Sequence, residues 1–202
     1  MPADPHEFYA RALAAADEDG RLPRSQITDW DIFPFETDGL RVVPLHAPVL
    51  PEATRSGTGG VGCNACESTS GVVWRDEHWQ LVTTRPSGAP LRLLLVSRAH
   101  VDFPGLPDER AAELGLLLVH VVRAIEALPN IARGHIARWG DGGEHMHTWF
   151  FARPEGIRQM FGTVMPIWDD LMPPVPVDER DADARTVATA LVESYGGEVV
   201  TS

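Results

Sequence analysis

The residues predict an α+β domain: an antiparallel sheet with one long helix packed on it, preceded by an N-terminal extension and followed by a C-terminal helix. Three observations carry this. Residues 91–98 are the strongest strand, and the run Leu93, Leu94, Leu95, Val96 predicts burial on both faces. Over 108–128, Ala111, Leu114, Leu118, Val121, Ile125 and Leu128 recur at steps of three and four, the spacing of one helical stripe. Beyond it, a glycine-rich turn at 140–143 separates two further strands, 135–139 and 145–152. Strands, one helix, then strands again suit an antiparallel sheet covered on one side.

In chain order, residues 5–19 carry a helical pattern (Phe8, Ala12, Leu13, Ala16) that Gly20 ends. Residues 21–60 are rich in proline and glycine, with extended pieces around 30–35 and 40–45. Residues 1–62 are therefore expected to be an extension that wraps the core, with 57–62 a flexible link. The main domain is expected at 63–154. Its first strands, 72–74 and 79–84, are joined by a polar turn at 75–78. Asp108 and Glu109 favour the start of the long helix and Pro129 stops it. Residues 155–202 form a C-terminal extension: Met160, Phe161, Met165, Trp168 and Met172 pack over the domain or line a pocket, and a helix at 178–195 ends at Gly196 and Gly197.

Composition removes several function classes. The 202 residues suffice for one well-buried core, and 44% are hydrophobic, as in soluble globular proteins. A net charge of −12 argues against bulk nucleic-acid binding, which depends on neutralising phosphates, yet leaves room for a small phosphorylated substrate. No apolar run approaches the ~20 residues of a membrane span. The acidic N-terminus lacks the basic-then-apolar pattern of a signal peptide, so a cytoplasmic location is expected. There is no lysine, which excludes Schiff-base chemistry and a lysine-bearing phosphate loop. No G-x-S-x-G elbow is present, and no G-x-G-x-x-G with a following acid marks a dinucleotide fold.

Two cysteines, Cys63 and Cys66, stand in a C-x-x-C, His100 follows the central strand, and His145 opens the triplet His145, Met146, His147. Two cysteines and two histidines suit a tetrahedral Zn²⁺. A redox C-x-x-C requires a strand before it and a helix beginning at its first cysteine; here both flanks read as loop. His147, two residues past the proposed ligand, is expected to face away from it and to be free for chemistry.

Residues 63–154 resemble the histidine-triad superfamily, including its galactose-1-phosphate uridylyltransferase branch. The resemblance rests on Cys63-x-x-Cys66, on Ser97, Arg98, Ala99, His100 after a strand, on the helix that follows, and on His145, Met146, His147, Thr148, Trp149 leading to Arg153 and Pro154. It implies Cys63, Cys66, His100 and His145 as Zn²⁺ ligands and His147 as nucleophile. The activity it implies is nucleotide hydrolysis or nucleotidyl transfer through a covalent nucleotidyl-histidine, acting on a small nucleotide or phosphate ester. It also implies a homodimer. Arg138 and Arg153 are candidate phosphate contacts, the Gly142 and Gly143 backbone offers N–H donors, and Trp149 could stack a base or sugar. The chain departs from the family pattern at three places: Trp149 stands for a histidine or glutamine, the glycine loop is shorter with Glu144 in a small polar position, and Arg138 stands for an asparagine. These departures define the alternative, a diverged zinc domain without phosphate chemistry that binds an apolar ligand or a protein partner in a pocket walled by Trp149, Trp168 and Met165.

Overall fold

The computed structural model describes residues 4–201, which divide into two units at Ala53 and Thr54. In the first unit, helix α1 (Pro5–Leu13) starts where Asp4 accepts from the His6 N–H at 2.9 Å and Pro5 occupies the first turn. It ends six residues before the expected stop. The Asp17 carboxylate accepts from the backbone N–H groups of Asp19 and Arg21, and this local turn competes with helix. The extended pieces expected at 30–35 and 40–45 form no strand among the described residues.

The second unit contains a six-stranded antiparallel sheet. Its strands are β1 (Val72–Arg75), β2 (Trp79–Thr83), β3 (Arg92–Ser97), β4 (Ile131–Ala137), β5 (His147–Pro154) and β6 (Glu198–Val199), in the order β4-β5-β3-β2-β1-β6. Its helices are α2 (Asn64–Glu67), α3 (Asp108–Glu126), α4 (Met165–Leu171) and α5 (Val177–Ser194). Residues 55–62, assigned above to the extension, belong to this unit because Ser56 bridges Gly143.

Strand alternation sorts the side chains. Leu81, Leu93, Leu95 and Phe150 point to one face and are fully buried with Trp74 and Trp79. Against them pack Leu114, Leu117, Val121 and Ile125 of α3 and Ala184, Val187, Ala188 and Leu191 of α5. The opposite face carries Gln80, Val82, Leu94, Val96, His147 and Trp149 and remains open enough to form a pocket. At its far end Ala89, Phe151, Met160 and Met165 make a second small core. Asp169, fully buried, ties this end down by accepting from the Ala89 N–H and from Arg92 Nη1, both at 2.7 Å.

Two strand boundaries differ from the sequence reading. β4 begins at Ile131 because Asn130, at φ 61°, turns the chain directly after Pro129. β5 begins at His147 because residues 142–146 are held elsewhere: Ser56 N–H bonds the Gly142 carbonyl, Glu144 N–H the Ser56 carbonyl and Met146 N–H the Val101 carbonyl. No helix among the described residues is long and apolar enough to cross a membrane.

Candidate metal centre and nucleophile

Four side chains converge beside the open face. Cys63 caps α2 and Cys66 lies within it, His100 follows β3, and His145 precedes β5. Their ligand atoms all lie within 4.8 Å of one another. Cys63 Sγ is 3.3 Å from His145 Nδ1, Cys66 Sγ is 3.4 Å from His100 Nδ1 and 3.5 Å from His145 Nδ1, and the two Nδ1 atoms are 3.3 Å apart. A tetrahedral Zn²⁺ with ordinary bond lengths sets N···N at roughly 3.3–3.4 Å and N···S at about 3.6 Å. The donor set fits that ion. A short helix does begin at Cys63, contrary to the loop expected there, but no strand precedes it.

The surroundings prepare these groups for a cation. His145 Nε2–H donates to the Ser97 carbonyl at 2.7 Å, which leaves Nδ1 as the lone-pair nitrogen. Burial pushes the His145 pKa down against the effect of that bond, and nearby His100 and His147 lower it further, so the neutral, ligating form is favoured. Desolvation, then the hydrogen bond and charge of Cys63, push the Cys66 thiol up, a competition between two thiolates that a divalent cation relieves.

His147 is half-buried on the same open face, with the His145 side chain and with Trp149, and all three line one pocket of about 420 Å³. The expectation that it faces away from His145 is corrected: residues two apart in extended backbone share a face. Its orientation is fixed all the same. His147 Nδ1–H donates to the His145 carbonyl at 2.7 Å, so Nε2 carries the lone pair. Gln80, Val82, Leu94 and Val96 complete the floor, and Ser56, Asn64, Gly142 and Gly143 stand at the rim.

Of the other residues singled out in the sequence, Gly142, Gly143 and Trp149 line this pocket and the two arginines do not. Arg138 is drawn to Asp102 at 3.2 Å, lies over the Phe103 ring at 4.6 Å and rests against Gly140. Arg153 sits six residues along β5 from His147, over the Phe161 ring at 4.4 Å. Glu144 is paired: Thr58 Oγ1 donates to its carboxylate at 3.0 Å and Arg55 lies 3.5 Å away. Trp168 and Met165 are not among the pocket walls.

Sequence reasoning missed Arg55, Ser56 and Ser97. Arg55 bonds Asp102 at 2.7 Å and the Gly140 carbonyl at 3.0 Å while Ser56 pairs with the glycine loop, so a segment from outside the expected domain completes the rim. Burial would raise the Asp102 pKa, but Arg55, the Phe103 N–H and Arg138 together hold it below the usual carboxylate range. Ser97 was read as part of a motif, and its carbonyl is the group that orients the His145 ring.

No protein-family model matches the chain, and no curated protein does. Solved structures do. A hypothetical histidine triad nucleotide-binding protein from Sulfolobus tokodaii is 14% identical over 66% of this chain and 97% of its own, at a TM-score of 0.51. A histidine triad protein from Marinobacter aquaeolei is 19% identical over 63% of this chain and 92% of its own, at 0.50. A Zn-bound histidine triad family protein from Mycobacterium smegmatis is 19% identical over 65% and 94%, at 0.49, too loose a likeness to bear on the metal here. What is shared is the fold.

Proposed function

We propose that this chain, which has the histidine-triad fold, transfers a nucleotidyl group through a covalent intermediate on His147, to water or to another acceptor. The observation that carries the reading is the tautomer lock: Nδ1–H is spent on the His145 carbonyl, which leaves Nε2 as the nucleophilic atom inside a pocket. The Nε2 lone pair attacks the α-phosphorus, the N–P bond forms, and the P–O bond to the leaving group breaks with its electron pair on the departing oxygen. The ring becomes an imidazolium whose Nδ1–H still faces a carbonyl, so the positive charge is stabilised without moving a proton. Water then attacks phosphorus, the N–P bond breaks with its electron pair returning to Nε2, and the proton the water sheds leaves to solvent, which releases the nucleotide and restores the neutral ring.

The pocket's other residues bind and orient. Trp149, Leu94 and Val82 offer an apolar floor for a base or sugar, and the Gly142–Gly143 backbone stands at the rim where phosphate oxygens would lie. Zn²⁺ held by Cys63, Cys66, His100 and His145 would have all four positions filled by protein, so its contribution is to fix structure. The alternative, an apolar binding domain, called for Trp168 and Met165 in the wall and Glu144 turned inward; these are not among the lining residues.

The test is single-turnover trapping. Protein mixed with nucleotides radiolabelled at the α-phosphate and quenched in base should carry an acid-labile phosphoramidate that His147→Ala abolishes. Zinc-loaded protein that never labels, with turnover unchanged in His147→Ala, would overturn the reading.

A further inference from the structure

The groove that holds His147 continues across the sheet. His147, Val96, Gln80 and Arg75 stand in one cross-strand row on β5, β3, β2 and β1. With strands ~4.8 Å apart, Arg75 is about 14 Å from His147 at the level of the backbone. A second cavity of about 620 Å³ opens there and shares Ala65, Ser68, Ser70 and Gln80 with the first. The first cavity has no arginine among its lining residues, and the second has Arg75 and Arg98.

Neither guanidinium is fully consumed. Arg98 Nη1 donates to the carbonyls of Asp76 and Glu77 at 2.6 and 3.2 Å, which anchors the group without a carboxylate partner. Arg75 is paired with Glu198 through Nε at 2.6 Å, and its two terminal nitrogens stand outside that bond. The other ionisable group on this cavity is Cys66, whose charge a metal ion would offset. In a chain of net charge −12, these two arginines bring to the groove that continues from His147 the positive charge that an anion requires.

We propose that Arg98, with Arg75 behind it, binds an anionic leaving group, so that the substrate is a nucleotide carrying phosphate beyond its α-phosphorus. The proposal rests on the nucleotidyl-transfer reading above. With the α-phosphorus at His147 Nε2, two directions are open. The neighbouring row Val82, Leu94, Trp149 is apolar and receives the nucleoside; the row through Gln80 leads to the cations and receives the phosphate chain. Guanidinium matches a terminal phosphate in charge and geometry.

The experiment compares zinc-loaded wild type, Arg98→Met, Arg75→Met and Arg98→Lys. Single-turnover labelling is measured with adenosine and uridine triphosphates and with the 4-nitrophenyl esters of the same monophosphates, whose leaving group bears no phosphate. Calorimetry measures inorganic pyrophosphate binding, and zinc content and thermal unfolding confirm the fold of each variant. The expected result is that the triphosphate-to-ester rate ratio falls roughly tenfold or more in Arg98→Met, less in Arg75→Met, with partial recovery in Arg98→Lys and parallel losses of pyrophosphate affinity. Wild-type labelling with an unchanged ratio and unchanged pyrophosphate binding in Arg98→Met overturns the proposal and leaves nucleotidyl transfer standing. If wild type labels from neither substrate, nucleotidyl transfer fails instead. Pyrophosphate binding that depends on Arg98 then still supports the anion site, and its absence overturns that too.

Discussion

Removing the metal should lower stability by an amount that the positions of its ligands set. The ion would join the Cys63–Cys66 turn to His100, 34 residues beyond Cys66, and His100 to His145, 45 residues further on. Each closure removes chain entropy from the unfolded state worth about 4 kcal/mol for loops of these lengths, about 8 kcal/mol together. Cross-links usually deliver less than the chain-entropy value, so we take half, about 4 kcal/mol, which for a protein of this size is a Tm shift of roughly 8–16 °C. The ligand atoms already stand at tetrahedral spacing, so little of this is offset by rearrangement. The assay is thermal unfolding of the full chain as purified, after chelation, and after return of Zn²⁺, with metal content measured beside it. Cys63→Ser should reproduce the chelated curve and should not respond to added zinc. A chain that retains no zinc after dialysis and unfolds within about 2 °C of the same temperature in all three states would refute the reasoning.

Three further outcomes are expected. Asp169→Ala should cost about 3–5 kcal/mol in urea unfolding, because it leaves the Arg92 guanidinium buried without its carboxylate; a loss under about 1 kcal/mol would show that the Arg92–Asp169 pair does not hold α4 to the sheet. His135 is half-buried with Nε2 unpartnered, and burial first, then the charge of Arg153, lowers its pKa. A depressed histidine contributes stability that is present above its unfolded pKa of about 6.5 and is lost as pH falls through its folded value. His135→Leu should therefore flatten the decline of stability below about pH 6.5 without lowering it at pH 8, and an unaltered slope would show that His135 does not set it. Trp149→Ala should raise KM for nucleotide roughly 5- to 150-fold, the range of one lost base–aromatic stack, with the smaller effect on kcat; a KM unchanged beside a collapsed kcat would place Trp149 elsewhere in the mechanism.

The features legible in the sequence were those with a short-range signature. The three-and-four spacing from Ala111 to Leu128 marks a helix whose Leu114, Val121 and Ile125 are buried, and the Leu93–Val96 run marks the central strand between β2 and β5. The C-x-x-C and the two histidines likewise announced a cluster that the fold brings within one ion's reach. What local pattern could not show is competition for partners. Arg138 has the right chemistry for phosphate and stands near the glycine loop, yet Asp102 and Phe103 occupy it, and Asp102 follows β3, in an element the turn itself does not reveal. Arg55 and Ser56 fell within the expected extension because their pairing with the glycine loop, Arg55 with the Gly140 carbonyl and Ser56 with Gly143, spans 85 positions or more. Glu144, a repulsive neighbour for phosphate by its type, is neutralised by that same Arg55.

The features that set this chain apart from the pattern it resembles compensate one another in space. A shortened glycine loop is braced from outside by Ser56 and Arg55, and the carboxylate that accompanies it is held by the same arginine. Trp149 makes the floor beside His147 apolar, and the positive charge lies in the adjoining cavity, at Arg75 and Arg98. One residue ties the metal centre to the nucleophile. The His145 ring offers Nδ1 to the cluster while its carbonyl, one peptide unit away, accepts from His147 Nδ1–H. A shift of the backbone at residue 145 that moved this carbonyl would free the His147 tautomer, so that some rings would present an N–H rather than a lone pair to the pocket. In the proposed reaction the ion and the nucleophile would therefore act as parts of one device, since the same short stretch of backbone sets the direction of both.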